Sequence, residues 1–170
     1  FLERSAHFIE NHDEPRIASL LSFEEHRAAA LLIMGLPGLR MIHEGQMSGC
    51  RYHANLHLAT RRAETPDRAV ARYYEKLLDA LSRTAIGRGE WRLPIIEPAW
   101  AENPTHRNIV IIQWHGAVGA FDLVVVNLSA VQSQCYARLS VEGLAGSTWR
   151  LADLLGDEIH ERDGESLATH

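Results

Sequence analysis

The segment AHFIENHDEPR, residues 6–16, is the first strand-and-loop signal in this chain. Its first half, residues 6–10, is a short, largely apolar run. Its second half, residues 11–16, is a cluster of polar side chains. A strand that stops at clustered polar residues is typical of a βα loop that carries chemistry. We therefore expect a strand here, followed by a loop with functional side chains.

A helix and a second strand follow this segment. Ser22 and Glu25 have the spacing of a capping box, in which each satisfies a backbone donor of the first turn. The helix that they begin, residues 23–34, is apolar almost all round in its later part, so we expect it to be largely buried. Residues 39–42 are predicted to form a second buried strand, which ends in the polar turn 43–46.

A second helix and a β-rich half complete the chain. Thr65 can cap this helix and Pro66 suits its first position, while residues 70–81 place apolar side chains on one helical face. Beyond it no helical signal separates the strands, which favours antiparallel pairing. The candidate strands are residues 91–97, 108–115, 121–128, 134–140 and 149–151.

Composition excludes several classes of protein. The chain has 170 residues, 46% hydrophobic and 23% charged, and 17 Lys+Arg against 22 Asp+Glu give a net charge of −5. That is the mixture of a globular protein, not of a disordered tail or of a nucleic-acid binder that relies on positive charge. The longest uncharged apolar stretch, residues 28–36, is far shorter than the roughly 20 residues that span a bilayer. We therefore expect neither a nucleic-acid partner nor a membrane.

The cysteines and the first residue suggest where the protein resides and how it is bounded. Cys50 and Cys135 lie far apart without a CxxC partner, which indicates neither a disulfide framework nor a zinc site. A reducing, cytoplasmic location is the expectation. Because the chain begins at Phe1 rather than Met, we expect a piece of a longer protein.

Three segments in order resemble one enzyme family. Residues 8–13, FIENHD, resemble the fourth conserved region of the α-amylase superfamily (glycoside hydrolase family 13), whose core is N-H-D after an apolar strand. Residues 36–46, LPGLRMIHEGQ, look like the family's segment on barrel strand eight, with His43 and Gln46 departing from its usual residues. Residues 121–129, FDLVVVNLS, are similar to a strand of the β domain that follows the barrel.

The resemblance implies a fold of two parts. Residues 1–88 would be the last portion of a (β/α)8 TIM barrel, strands seven and eight with their helices, and residues 89–170 an antiparallel β-sandwich domain. A complete barrel needs about 250 residues. The family's nucleophile Asp and acid/base Glu lie on earlier strands, so we expect this fragment alone to be inactive. Residues 149–164 are similar to a late β hairpin of the family, which implies an incomplete β domain.

The resemblance also implies a site. A retaining glycosidase uses two carboxyl groups about 5 Å apart as nucleophile and acid/base. The family match assigns Asp13 the role of a third, transition-state-stabilising carboxylate, with His12 hydrogen-bonding the same sugar. Asn11 and Arg16 are further candidate substrate ligands, and the expected partner is an α-glucan or oligosaccharide. No cofactor or metal is assigned.

Plainer interpretations of the same residues exist. Asn-His-Asp before a helix is often a polar loop with a capping Asp, and a loop-steadying ion pair between Glu14 and Arg16 is favoured over substrate contact. His53 and His57 have metal-ligand spacing for a helix, but their stretch has no helical period, so we expect loop residues. Sugar stacking is less favoured than core packing for the four tryptophans, which are Trp91, Trp100, Trp114 and Trp149.

Two alternative functions stay open at this point. The chain could be a non-catalytic amylase-like module, or a β-sandwich binding or assembly module in which N-H-D is incidental. In addition, barrel strands without neighbours have unpaired edges, which are templates for pairing. We therefore expect the isolated chain to self-associate.

Overall fold

The structure is a computed structural model, and it describes residues 1–53, 57, 60, 62–117 and 119–169. It divides into two compact units, Phe1–Asp79 and Ala80–His170, with the division inside a helix. The predicted domain boundary between residues 88 and 89 stays a prediction.

The first unit is built around a parallel strand pair. Strand β1 (Ala6–His7) is followed by helices α1 (Ile17–Leu20) and α2 (Phe23–Gly35) and then by strand β2 (Leu39–Arg40). The register places Ala6 opposite Leu39. The ladder extends past both strands, since the Met41 N–H donates to the His7 carbonyl oxygen at 2.9 Å. Parallel strands joined by helices are the βαβ arrangement.

Helix α2 begins as the sequence predicts. The Ser22 hydroxyl accepts from the Glu25 N–H at 3.3 Å, and the Glu25 carboxylate accepts from the Ser22 N–H at 2.8 Å. Its predicted burial is confirmed for the apolar residues 28–34, which are buried or half-buried, whereas residues 23–25 of its first turn are exposed. The fully buried side chains, His26, Ala30 and Met34, lie four residues apart on one face, whereas Leu31 to Ile33 are half-buried. The reason is that this unit covers one stripe of the helix.

Helix α3 (Arg68–Arg83) begins later than predicted, and Asp67 rather than Thr65 caps it. Asp67 Oδ1 accepts from the N–H groups of Ala69 at 2.9 Å and Val70 at 3.3 Å. The Asp67 N–H donates to the Ser48 carbonyl oxygen, which holds residue 67 outside the helix. The predicted apolar face is confirmed in the part of α3 that lies in the first unit, where its buried residues are Val70, Tyr74 and Leu77.

The second unit consists of antiparallel strands. Strand β5 (Ile109–His115) pairs with β6 (Phe121–Asn127), and residues 116–120 connect them, of which Val118 lies outside the described residues. In β6 burial alternates, because Val124 and Val126 face the core while Val125 faces solvent. The other strands are β3 (Glu90–Arg92), β4 (Ile95–Pro98), β7 (Cys135–Arg138), β8 (Thr148–Ala152) and β9 (Ile159–Asp163), before a short helix α4 (Gly164–Thr169).

The list of candidate strands is wrong at one place in this unit and lacks one strand. The predicted strand 91–97 is two strands in different sheets, β3 against β5 and β4 against β7. Pro94 lies between them and has no N–H for a ladder. Strand β9 is exposed at every residue and gives no hydrophobic signal. It pairs antiparallel with β8, which confirms the hairpin that the family resemblance implies for residues 149–164.

The described residues therefore form a small α/β protein with several antiparallel sheets and one parallel pair. That the pair belongs to a TIM barrel, and that the sheets form a sandwich, stay predictions. Phe8, Leu39 and Met41, in and just beyond the parallel pair, are exposed, so the predicted burial of the strand at residues 39–42 is wrong for Leu39 and Met41. The predicted self-association stays a prediction. Within the part of the chain that the structure describes, no helix combines the length and apolar character needed to span a membrane.

Candidate active site

The loops that follow β1 and β2 lie at the same edge of the parallel pair. Because the two strands run in the same direction, residues 8–16 and residues 41–46 continue the chain from one edge. The Arg16 guanidinium joins them, since its Nη2 donates to the Glu44 carbonyl oxygen at 2.7 Å. The structure thus brings together the two polar segments that the sequence singled out.

Asn11 folds the loop of residues 11–16 into a turn. Its side-chain Oδ1 accepts from the N–H groups of Asp13 at 2.8 Å and Glu14 at 3.1 Å. This Asx turn fixes the backbone on both sides of Asp13 without using the Asp13 carboxylate. The substrate contact predicted for Asn11 stays a prediction. In the structure, its side-chain oxygen holds the loop backbone.

His12 and Asp13 stand next to each other at the surface of this loop. His12 Nε2 lies 3.4 Å from Asp13 Oδ2, and the exposed fractions of the two side chains are 56% and 71%. A carboxylate accepts hydrogen bonds and an imidazole N–H donates them. The pair therefore offers an acceptor and a donor side by side, which suits neighbouring hydroxyl groups.

Arg16 is buried rather than exposed beside Asp13. Its Nη1 lies 3.3 Å from Glu10 Oε1, so the predicted ion pair with Glu14 is wrong: the partner is Glu10, and Glu14 is exposed. Arg16 Nε also points to the Cys50 carbonyl oxygen at 3.5 Å. The structure places the guanidinium beneath the loop, where it links three segments of the chain.

Glu10 is a buried residue at this site that the sequence analysis missed. Its side chain is fully buried, and Oε2 accepts from the Ile17 N–H, the first of helix α1, at 2.6 Å. Burial raises the pKa of this carboxyl, while the Ile17 N–H and the charges of Arg16 and His43 act to lower it. A charged residue at the end of a largely apolar run was the available signal, because such a group needs a buried partner.

A second buried network anchors the loop after β2 to helix α3. Gln46 Nε2 donates to the Tyr74 hydroxyl oxygen at 2.7 Å, and Gln46 Oε1 accepts from the His43 N–H at 3.2 Å. His26 Nε2 lies 3.0 Å from the same hydroxyl. Since Gln46 donates to that oxygen, the Tyr74 O–H is left to donate to an unprotonated His26 Nε2. Burial raises the pKa of Tyr74 to about 12 and lowers that of His26, so both are neutral here.

This network predicts that stability falls on mild acidification. The pKa of native His26 lies below its ordinary value of 6.5, so the unfolded chain binds more protons between those two values. The contribution of His26 to stability is fully present above about pH 6.5 and is lost as the pH falls towards the native pKa of His26. We expect the urea midpoints of the wild type and His26→Asn to converge between about pH 8 and about pH 5. Parallel curves would contradict the assignment.

Gly45 lets the turn after β2 approach Arg16. Its φ is +86°, a conformation that favours glycine. A Cβ at this position would overlap Arg16 Nη2 and lie 2.9 Å from Cys50 Sγ. The short polar turn after β2 is therefore shaped to receive the guanidinium.

The other residues considered in the sequence analysis are the tryptophans and the histidines His53 and His57. Trp114 is buried, as expected for a core residue, whereas Trp100 is exposed. Trp91 and Trp149 are half-buried, and Trp149 donates to the Leu144 carbonyl oxygen at 2.8 Å and packs on Phe121. His53 and His57 lie outside helices, as predicted. Among the described residues no group of His, Cys, Asp or Glu side chains is arranged to hold a metal ion.

Comparison with solved structures finds a protein with a similar fold. The chain is similar to a noncanonic maltogenic α-amylase, AmyB, from Thermotoga neapolitana, with a TM-score of 0.74 over 93% of this chain and 18% sequence identity. No protein-family model matches the sequence, and no curated protein matches it. The chain spans 36% of the length of that amylase. The structural neighbour is thus an α-amylase, the kind of enzyme that the motifs at residues 8–13 and 36–46 resemble.

Proposed function

We propose that this chain is the C-terminal part of a retaining glycoside hydrolase or transglycosylase that acts on α-glucans. The observation that carries the proposal is the exposed Asp13 carboxylate, held on an ordered loop at the carboxyl-terminal edge of a parallel strand pair. In (β/α)8 barrels the active site is built from the loops at that edge. The fold likeness to an α-amylase supports the assignment of the pair to such a barrel.

In this proposal Asp13 acts on the transition state rather than on the ground state. Glycoside cleavage passes through an oxocarbenium-like transition state, in which positive charge develops on the sugar ring. The hydroxyl groups of such a sugar become better donors, so an ionised carboxylate that accepts from them binds the transition state more tightly. His12, 3.4 Å away, supplies a donor to the same sugar. The nucleophile and the acid/base would come from earlier barrel strands.

The experiment that tests the proposal is an assay of the complete gene product on α-1,4-linked maltooligosaccharides. NMR of the freshly released or transferred product reads its anomeric configuration directly. Cleavage or transfer with retained configuration supports the proposal. An inverted product, or binding without turnover, contradicts it, and binding without turnover would favour a non-catalytic amylase-like module.

A further inference from the structure

One buried carboxylate closes the base of the loop that carries Asp13. Glu10 precedes the loop and Ile17 follows it, and the two are joined by the 2.6 Å hydrogen bond from the Ile17 N–H to Glu10 Oε2. The other oxygen of Glu10 is 3.3 Å from Arg16 Nη1. Both ends of the loop are therefore tied to a single side chain that is shielded from solvent, where an electrostatic contact is stronger than at the surface.

Arg16 extends this base to the rest of the site. Its guanidinium faces Glu10 on one side and the carbonyl oxygens of Glu44 and Cys50 on the other. A planar guanidinium can serve three directions at once, whereas a lysine ammonium acts as a point charge on a flexible stem. The loop after β1 is thereby fixed relative to the chain at Glu44 and at Cys50, both of which follow β2.

The position of the Asp13 carboxylate depends on this base. Its side chain is 71% exposed, and its one polar side-chain contact among the described residues is the 3.4 Å approach to His12, which is itself exposed. The Asx turn of Asn11 sets the local backbone, but Asn11 belongs to the same loop. From outside the loop, the exposed His53 ring contacts the His12 carbonyl oxygen at 2.7 Å. The contact at the base of the loop that is shielded from solvent is the Glu10–Arg16 pair.

We propose that Glu10 and Arg16 are positioning residues, which hold the loop so that the Asp13 carboxylate meets the substrate, a role that rests on the proposed function. In this role neither residue touches the sugar, because both side chains are buried beneath the loop, and Arg16 is then not the substrate ligand that the sequence analysis predicted. Their effect on the reaction passes through the backbone of residues 11–15. Displacement of a catalytic group by about 1 Å can cost about 10²-fold in rate.

The test compares steady-state kinetics of Glu10→Gln and Arg16→Lys with Asp13→Asn in the complete enzyme, at a temperature where circular dichroism shows each variant folded. Glu24→Gln is the matched control, because Glu24 forms an exposed ion pair with Arg27 at 2.8 Å in the same unit. We expect kcat to fall about 10²-fold in the two positioning variants with KM changed little, since Asp13 stabilises the transition state. Glu24→Gln should match the wild type.

A second readout does not depend on turnover. Hydrogen–deuterium exchange of the peptide that spans residues 8–17 should be faster in Glu10→Gln and Arg16→Lys than in Glu24→Gln. If both positioning variants keep the wild-type kcat and exchange while Asp13→Asn is inactive, the positioning role is overturned and the proposed function stands. If Asp13→Asn is fully active, the proposed function and this role both fall.

Discussion

Replacing Asp13 by Asn is expected to lower kcat of the complete enzyme by about 10²–10³-fold, with KM changed little. Asn keeps the size and one acceptor of the side chain but removes the negative charge. The loop itself should persist, because the Asx turn uses the backbone N–H of residue 13 rather than its carboxylate. The loss would therefore report the charge that faces the transition state.

The control for this variant is Glu14→Gln, the same chemical change one residue further along the loop. The Glu14 side chain is exposed, and it is the backbone N–H of Glu14 that takes part in the turn. Initial rates on a maltooligosaccharide should distinguish the two variants. An Asp13→Asn enzyme with more than half of the wild-type kcat would remove Asp13 from the mechanism.

Replacing Arg16 by Met should cost about 3–5 kcal/mol of unfolding free energy, the range for breaking a buried ion pair by removing one partner. The Glu10 carboxylate would stay buried without its cation, and the Glu44 and Cys50 carbonyl oxygens would lose a donor. Met fills much of the same volume, so the loss would come from charge and hydrogen bonding rather than from a cavity.

Urea denaturation at several pH values measures this loss, with Arg27→Met as the control. Arg27 pairs with Glu24 at the surface, where such pairs contribute about 0–1 kcal/mol. Burial already raises the pKa of Glu10 above 4.5, and removal of Arg16 raises it further. Above about pH 4.5, Glu10 in the native Arg16→Met variant then keeps a proton that Glu10 in the unfolded chain has lost. The difference in unfolding free energy between the wild type and the variant should therefore shrink as the pH falls towards about 4.5. A loss no larger than that of Arg27→Met would contradict the buried pair.

Local signals in the sequence predicted local structure well. The Ser22–Glu25 capping box needs two residues three positions apart, and the structure has both of its hydrogen bonds. The hairpin β5–β6 also follows from apolar runs on either side of a short turn. In each case the partners are close in sequence, so spacing alone identifies them.

The features that the sequence analysis missed depend on distant partners. Arg16 reaches the Glu44 and Cys50 carbonyl oxygens 28 and 34 residues away, and no periodicity reports such contacts. Asp67 rather than Thr65 caps α3 because its backbone is held by Ser48 from another segment. The choice between Glu10 and Glu14 as the partner of Arg16 could not be made from the sequence, because both are glutamates close to Arg16 in the chain. Glu14 is nearer to Arg16 in the chain, but Glu10 is the one that folding buries beside it.

The central claim is that Asp13 faces a sugar at the mouth of a barrel of which β1 and β2 are neighbouring strands. A crystal structure of the complete protein with a bound maltooligosaccharide tests it most directly. We expect β1 and β2 side by side in a closed parallel barrel, with the Asp13 carboxylate about 2.5–3.0 Å from hydroxyl groups of the sugar at the cleavage point. A sugar bound elsewhere, or β1 and β2 outside such a barrel, would contradict the account.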